Sequence, residues 1–396
     1  MNERSTDTLL ERLIEDVELP DNAYEKARDR YEDLGKWFDR DDSLVKANNP
    51  HIFPQGSFRL GTAIKPLDEN SNYDLDLGCK LRTGISSDTH TQKQLKDIVR
   101  TELENYRTAR RIMEKVEDKH RCLCLEYRDS PGFHMDIVPC IPAADIQRAS
   151  LRIAILKHNP VMEIAVDPIT GNAVYITDDR LPNFNRTYGN WLVSNMEGYA
   201  LWFEMRMNLD KTLMSKTAAK FETRIDDVPQ FIRKRPLQKA IQLLKRHRDV
   251  LFRKKDELKP ISVILTTLAA QAYQGEAFVA DAIAGILSRI ENGIRKQGKK
   301  VPNPVNPEED FADKWTMPQY AHLKLEENFR NWVIQAKTDF QNLTDLHNAE
   351  TINKVAKLRF DVTLNRTEIS KLLCIPLIEV IANPIHIANP VKPWCM

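Results

Sequence analysis

The run Tyr73-Asp74-Leu75-Asp76-Leu77 places two carboxylates two residues apart in strict alternation with apolar side chains. On a strand, alternate side chains share a face, so Tyr73, Leu75 and Leu77 point to a core and Asp74 and Asp76 point together away from it. Two adjacent carboxylates repel, and half-burying both is costly unless a cation compensates them. Mg²⁺ takes a few carboxylates together with phosphate oxygens, so the chemistry implied is a nucleoside triphosphate site. A second alternating run, Phe133-His134-Met135-Asp136-Ile137-Val138, offers a third acid on the face opposite Phe133, Met135 and Ile137. If the two strands are neighbours, Asp74, Asp76 and Asp136 converge. Asp-x-Asp by itself is a common pattern: Asp39-Arg40-Asp41 is another copy, in a polar segment, and is assigned no function.

Upstream lies Pro54-Gln55-Gly56-Ser57-Phe58-Arg59-Leu60-Gly61-Thr62. Glycine lets a backbone approach phosphate oxygens closely, and successive N–H groups make an anion nest to which the Ser57 hydroxyl adds a donor. Gly-Ser alone is more often a linker; followed by a short loop and an acidic strand, it becomes specific. Arg59 and Lys65 are candidate extra cations for the phosphates, with ordinary loop charge the favoured reading. His134 shares the Asp136 face and is read as a packed or supporting histidine.

The elements that must position these groups follow from periodicity. Residues 6–38 show three-four apolar spacing and predict one or two helices, with Pro20 opening the second. Residues 41–72 read as loop. Tyr73 to Leu81 predicts a strand, Lys93 to Val116 a helix, and Cys122 to Arg128 with Phe133 to Pro139 a hairpin turning through Asp129-Ser130-Pro131-Gly132. Val174 to Thr177 is a further short strand. From there the pattern is helical: Trp191 to Met207, Gln230 to Phe252, Ile261 to Tyr273, Phe278 to Lys296, Tyr320 to about Leu343, and Thr351 to Phe360. Val301 to Pro318 reads as a Pro- and Asn-rich loop, and the tail from Pro376 has no periodicity. The expected organisation is an α+β half, 1–188, and a helical half, 189–396, with a cleft between.

Bulk properties narrow the partners. The 396 residues carry 58 Lys plus Arg against 57 Asp plus Glu. That balance argues against a duplex nucleic-acid binder, which needs a basic excess. The six cysteines include no C-x-x-C pair and no zinc spacing, and read as free thiols. The charged start MNERSTDTLLERL is no signal peptide, and no apolar run is long enough to span a bilayer, so a cytoplasmic protein is expected.

A Gly-Ser loop, an acidic pair on a strand and a later single acid together resemble the polymerase-β nucleotidyltransferase superfamily. The longer string QGSFRLGTAIKP…YDLDLG is similar to the bacterial cGAS/DncV-like nucleotidyltransferases of antiphage signalling. WLVSNMEGYALWF, LQKAIQLLKRHRD, KPISVILTTLAAQAY and NPVNPEEDFADKW resemble the same family, so the likeness runs from about residue 50 to 320.

The resemblance implies a polymerase-β-like core with a mixed sheet and a helical lobe like that of poly(A) polymerases and oligoadenylate synthases. It implies that Asp74, Asp76 and Asp136 bind two Mg²⁺ ions, with Mn²⁺ as a substitute, and that Gln55, Gly56 and Ser57 hold a triphosphate. Lys245 and Ser262 match the phosphate-touching lysine and serine of the helical lobe. Tyr199 is a candidate base-stacking aromatic, with core packing favoured. The expected activity joins ATP, and GTP as well, into a cyclic di- or trinucleotide with release of pyrophosphate. The product would switch on a separate effector, and regulatory proteins would act on the C-terminus. A linear transferase tailing RNA, tRNA or protein would use the same catalytic residues, and a catalytically silent nucleotide-binding scaffold is a third reading, disfavoured by the intact acids.

Overall fold

The computed structural model describes residues 3–68, 71–128, 132–187, 189–208, 234–297, 299–345 and 348–373. Helices α1 (Glu3–Val17) and α2 (Asp21–Phe38) lead to strand β1 (Pro50–Pro54), the short helix α3 (Gly56–Leu60) and β2 (Tyr73–Leu81). Then come α4 (Gln92–Ala109), β3 (Glu117–Asp118), β4 (Leu123–Tyr127) and β5 (Phe133–Pro142). Helices α5 (Asp145–His158) and α6 (Val166–Gly171) precede β6 (Val174–Ile176), β7 (Leu192–Ser194) and α7 (Met196–Met207). The rest is mainly helical: α8 (Pro236–Leu251), α9 (Ser262–Ala272), α10 (Val279–Gln297), a hairpin of β8 (Pro302–Asn303) and β9 (Asn306–Asp310), α11 (Leu325–Asp345), α12 (Ala349–Phe360) and α13 (Arg366–Leu373).

The seven-stranded sheet runs β1-β2-β5-β4-β3, with β6 bridging β5 to β7. Strands β2 and β5 are parallel, while β1, β4 and β6 run antiparallel to their neighbours. Alternation along β2 and β5 does what it predicts: Leu75, Leu77, Phe133, Met135 and Ile137 are fully buried. They pack beneath α2 (Ala23, Ala27, Tyr31, Leu34, Phe38) and α4 (Leu95, Val99, Leu103, Tyr106), each helix apolar at three-four spacing. Burying such a side chain contributes roughly 1.5–3 kcal/mol, which fixes the strand register and so the face the acids occupy. Farther along β2 the acid-bearing face closes over. The Phe53 ring lies on Gly78, and Lys80 pairs with Glu197 of α7. The open part of that face is therefore confined to the N-terminal halves of β2 and β5.

Four expectations change. The segment 41–72 is not all loop, because it holds β1 and α3; both are too short and too rich in Pro and Gly to show a period. Trp191 to Met207 is not one helix. Leu192–Ser194 pairs with β6, and the helix starts at Met196, where the Asn195 side chain accepts from the Gly198 N–H at 3.1 Å. The proline-rich stretch from Val301 contains the β8–β9 hairpin, tied to β7 by Asn306 Nδ2 donating to the Val193 carbonyl at 3.2 Å. It also reaches the other half, because β9 packs against α5. The helix expected from Lys93 to Val116 ends at Ala109, because Arg111 turns the chain with φ 55°. The turn at Asp129-Ser130-Pro131, residues 230–233 and the tail from Pro376 lie outside the described residues.

Packing also crosses the expected boundary at residue 188. Helix α1 lies against α8, α10 and α13, and α5 and α6 join the same hydrophobic cluster as the helical lobe. Cys79, Cys122, Cys124 and Cys140 are free thiols. No described helix is long and apolar enough to cross a membrane.

Candidate active site

Parallel pairing sets Asp76 directly opposite Asp136 and Asp74 opposite His134. The three carboxylates thus share one face of two adjacent strands, as the alternation predicted. Burial, then the Asp136 and Asp74 charges, push the Asp76 carboxyl up to about 7. Asp74 is raised by burial, with Asp136 adding to it and His134 opposing, although much of its side chain still meets solvent. The charge crowding is therefore worst at Asp76. His134 Nδ1 lies 3.9 Å from Asp74 and its Nε2 3.8 Å from Glu126, so it borders the acids rather than bonding to them.

The Gly-Ser segment lies across β2 at the same point. Gln55 N–H donates to the Asp76 carbonyl at 2.8 Å, and Gln55 Nε2 donates to the Leu77 carbonyl at 3.2 Å. Gly56 has φ 61°, and a Cβ there would fall 2.1 Å from Asp76 Oδ2. Only glycine permits that approach. Ser57 starts the turn of α3, whose end is closed by Thr62 N–H donating to the Ser57 carbonyl at 2.9 Å.

Helix α8 grips the chain just beyond. Gln238 donates to the Leu60 carbonyl (2.9 Å), Gln242 to Ala63 (2.8 Å) and Arg246 to Lys65 (2.8 Å). Lys245 donates to the Thr62 carbonyl at 3.1 Å and lies 3.2 Å from its hydroxyl. Burial, with help from Arg248, pushes the Lys245 ammonium down to about 7, and the Asp249 and Asp76 charges pull the other way. Ser262 opens α9 and accepts from Arg248 at 3.0 Å. Arg248 also donates to the Pro260 carbonyl at 3.1 Å. Lys259, the residue before Pro260, is close enough to Asp74 to lower its pKa.

Two candidates disfavoured from the sequence turn elsewhere. Arg59 is buried and bonds Glu204 of α7 at 2.6 Å, so it is a structural ion pair. Tyr199 packs on Trp202 and Phe311 with its hydroxyl 2.8 Å from that of Thr267, which makes it core, as favoured. Sequence reasoning missed Lys119, whose ammonium meets both Asp136 oxygens at 2.9 and 3.2 Å. It also missed Cys124, which lies opposite Asp136 on β4, and whose thiol burial and Asp136 push up to about 12. Nothing in a surface-like Glu-Asp-Lys-His-Arg run marks Lys119; only the β3–β4 turn brings it in.

These residues suit a divalent cation by two observations. Three hard oxygen donors share one open face, and Asp76 carries unrelieved repulsion that a cation would remove. Among the described residues no three such side chains are drawn as close as a bound ion would hold them, and Asp136 is engaged by Lys119.

Residues 50–140 match the family described as "Cyclic GMP-AMP synthase DncV-like, nucleotidyltransferase domain". A c-di-GMP synthase of Roseivirga ehrenbergii is 30% identical over 346 residues, covering 86% of this chain and 80% of that protein. This chain belongs to the bacterial cGAS/DncV-like nucleotidyltransferases. A second such nucleotidyltransferase, the cyclic dinucleotide synthase CdnG of Bradyrhizobium diazoefficiens, is 25% identical over 86% of this chain and 78% of its own. The structure of that CdnG in complex with GTP superposes with TM-score 0.61 at 20% identity, covering 93% of this chain and 98% of that one. The Vibrio cholerae DncV cyclic AMP-GMP synthase, in complex with a linear intermediate, gives 0.56 at 14% identity over 93% and 97%. The fold of this cGAS/DncV-like nucleotidyltransferase is accordingly the polymerase-β-like core with its helical lobe, and the chain is an enzyme that builds cyclic nucleotides.

Proposed function

We propose that this nucleotidyltransferase joins two molecules of GTP into cyclic di-GMP, releasing pyrophosphate twice, and that the product activates a separate antiphage effector. The emphasis moves from ATP to GTP because the c-di-GMP synthase is the relative at 30% identity. The observation that carries the chemistry is the register of Asp76 with Asp136, beside Gly56 and within the field of Lys245.

In each step a ribose hydroxyl of one nucleotide attacks the α-phosphorus of the next, and the bond to the β-phosphate oxygen breaks in line. Two divalent ions, Mg²⁺ or Mn²⁺, would be held by Asp74, Asp76 and Asp136 and would supply charge neutralisation and acidify the attacking hydroxyl. Asp136 orients the acceptor hydroxyl and takes its proton. Asp74 and Asp76 would hold the cation that meets the donor triphosphate, and their place at the end of the Gly-Ser segment sets where that triphosphate lies. The Gln55-Gly56-Ser57 backbone lets the phosphates come close, and Lys245, with Arg248, Lys259 and Ser262 at the cleft wall, receives the negative charge that leaves as pyrophosphate. Most of the rate then comes from positioning and preorganised charge.

The test is incubation with labelled GTP, ATP, CTP and UTP plus Mg²⁺ or Mn²⁺, then phosphatase and mass spectrometry. A phosphatase-resistant product of two guanylates supports the reading. A mixed adenylate-guanylate ring, the activity in the matched family's description, would redirect the base assignment. Elongation of added RNA alone would overturn cyclisation, and full pyrophosphate release by Asp74→Ala with Asp76→Ala would overturn the site.

A further inference from the structure

Lys119 stands in the turn between β3 and β4, where its N–H donates to the Cys122 carbonyl at 3.0 Å. The turn is clamped from behind by Lys96 of α4, a lysine only 1% exposed. Lys96 donates to the carbonyls of Lys119 and His120 and pairs with Asp118 at 2.7 Å and Asp179 at 3.4 Å. His120 and Arg121 are tied down as well, to Asp179 at 2.7 Å and Asp178 at 2.8 Å. A turn pinned by this many charged contacts delivers its lysine to a fixed place, and that place is the Asp136 carboxylate, met at both oxygens. Asp74 and Asp76, on the same face, have no lysine or arginine ion pair among the described residues. The three acids are therefore unequal: two are free to take a cation, and the third already has one.

We infer that Lys119 is a built-in counter-ion that competes with a divalent cation for Asp136, so that the site fills in order. The position held by Asp74 and Asp76 loads first with the donor nucleotide. Asp136 takes its ion only when that ion and the acceptor together displace the ammonium. Lys119 is a positioning residue in this scheme. It holds Asp136 toward the cleft and keeps the acceptor side unarmed until a second nucleotide is present. The inference rests on the assignment of Asp136 as a cation ligand.

The experiment is a Mn²⁺ titration followed by electron paramagnetic resonance, on the full chain with a GTP analogue whose α,β-bridge is methylene. The native protein should bind one Mn²⁺ tightly and a second more weakly. Lys119→Met keeps the stem and removes the charge; the weaker dissociation constant should fall about tenfold, as expected for loss of one competing charge at contact distance, while the tight one stays. Lys119→Arg should shift the weaker constant the other way, since a guanidinium grips a carboxylate at both oxygens. Because the two variants predict opposite shifts, one that fails to fold leaves the other decisive. A weaker constant unmoved in both, or raised in Lys119→Met, overturns the role of Lys119. Asp136→Asn separates the two levels. If it removes the second Mn²⁺ while the Lys119 variants change nothing, only the counter-ion is wrong. If it leaves both ions bound, the ligand assignment falls and the counter-ion with it.

Discussion

The Asp76 carboxylate rests on the bare Cα of Gly56, so close that a methyl group there would lie 2.1 Å from Oδ2. Gly56→Ala must therefore either rotate Asp76 away or push the Gly-Ser segment off β2. The substitution also places a side chain at φ 61°, at a cost of about 1–2 kcal/mol. Pyrophosphate release from GTP should fall by about 100-fold, the scale of a 1 Å misplacement, with a folded protein by circular dichroism. Gly61→Ala is the control, since Gly61 has φ 66° at the other end of α3. Equal losses in the two variants would mean that strain, not the carboxylate contact, explains the effect.

Asp76, pushed up to about 7, makes a prediction about stability and pH. Its folded value lies above its ordinary 3.8, so protonation favours the folded state. That contribution is complete below about pH 4 and is lost as pH rises through about 7. In EDTA the protein should denature at lower urea concentration at pH 8 than at pH 6, after subtraction of the same difference in Asp76→Asn. Mg²⁺ with GTP analogue should shrink the difference, because the cation relieves the ionised carboxylate. A pH dependence that survives unchanged in Asp76→Asn would assign it to another group.

Much of this site is written in local pattern. Alternation in 73–81 and 133–138 fixed both strands, because one face is fully buried and a one-residue slip would expose it. The shared face of Asp74 and Asp76, and the outward turn of Asp136, follow from that alternation, while their role and that of Gly56 rest on the order of motifs and the family resemblance. Strand pairing was a conjecture that the sequence could not test: β2 and β5 lie more than fifty residues apart, and their contact is tertiary. For the same reason Lys119 was invisible, since its meaning depends on a turn folding back over Asp136. Arg59 differs in the opposite sense: the sequence favours an ordinary loop charge, and the residue is buried in an ion pair, because α3 turns it inward to Glu204. The helical reading of Trp191 to Ser194 failed because a three-residue edge strand carries too few side chains to show a period.

Lys245 combines burial with a place beside the Gly-Ser segment and within the field of Asp76, and on the proposed reading the two properties predict opposite effects of Lys245→Met. An ammonium taken out of water costs free energy, which its bonds to Thr62 only partly offset. Methionine fills the space without that cost, so denaturant stability should stay the same or rise. The phosphates should lose a charge-assisted contact worth about 2–3 kcal/mol, or roughly 30- to 150-fold in kcat/KM for GTP. Steady-state kinetics and urea unfolding on the same preparation check both halves. A destabilised variant with normal kcat/KM would reduce Lys245 to an anchor for the 60–65 segment.

Two residues along α8, His247 points into the opposite side of the lobe. Trp332 Nε1 donates to His247 Nδ1 at 3.2 Å, so the imidazole proton sits on Nε2, facing Asp339 Oδ2 at 2.9 Å. Asp339 also accepts from Gln335 at 2.9 Å and pairs with Arg359 at 3.1 Å. Burial works against its charge, but the hydrogen bonds from His247 and Gln335 and the nearby Arg359 guanidinium hold it below the ordinary 3.8. Its stabilisation is therefore present above about pH 4 and is lost as pH falls through the lowered value. Asp339→Ala strands a buried imidazole N–H and a guanidinium together, and should cost about 3–5 kcal/mol by urea unfolding at pH 7. Because this network sets the seat of α8 rather than touching phosphate, KM for GTP should rise while kcat per folded molecule changes less than about threefold. A variant of native stability with kcat collapsed would move His247 and Asp339 from the scaffold of α8 into the chemistry itself.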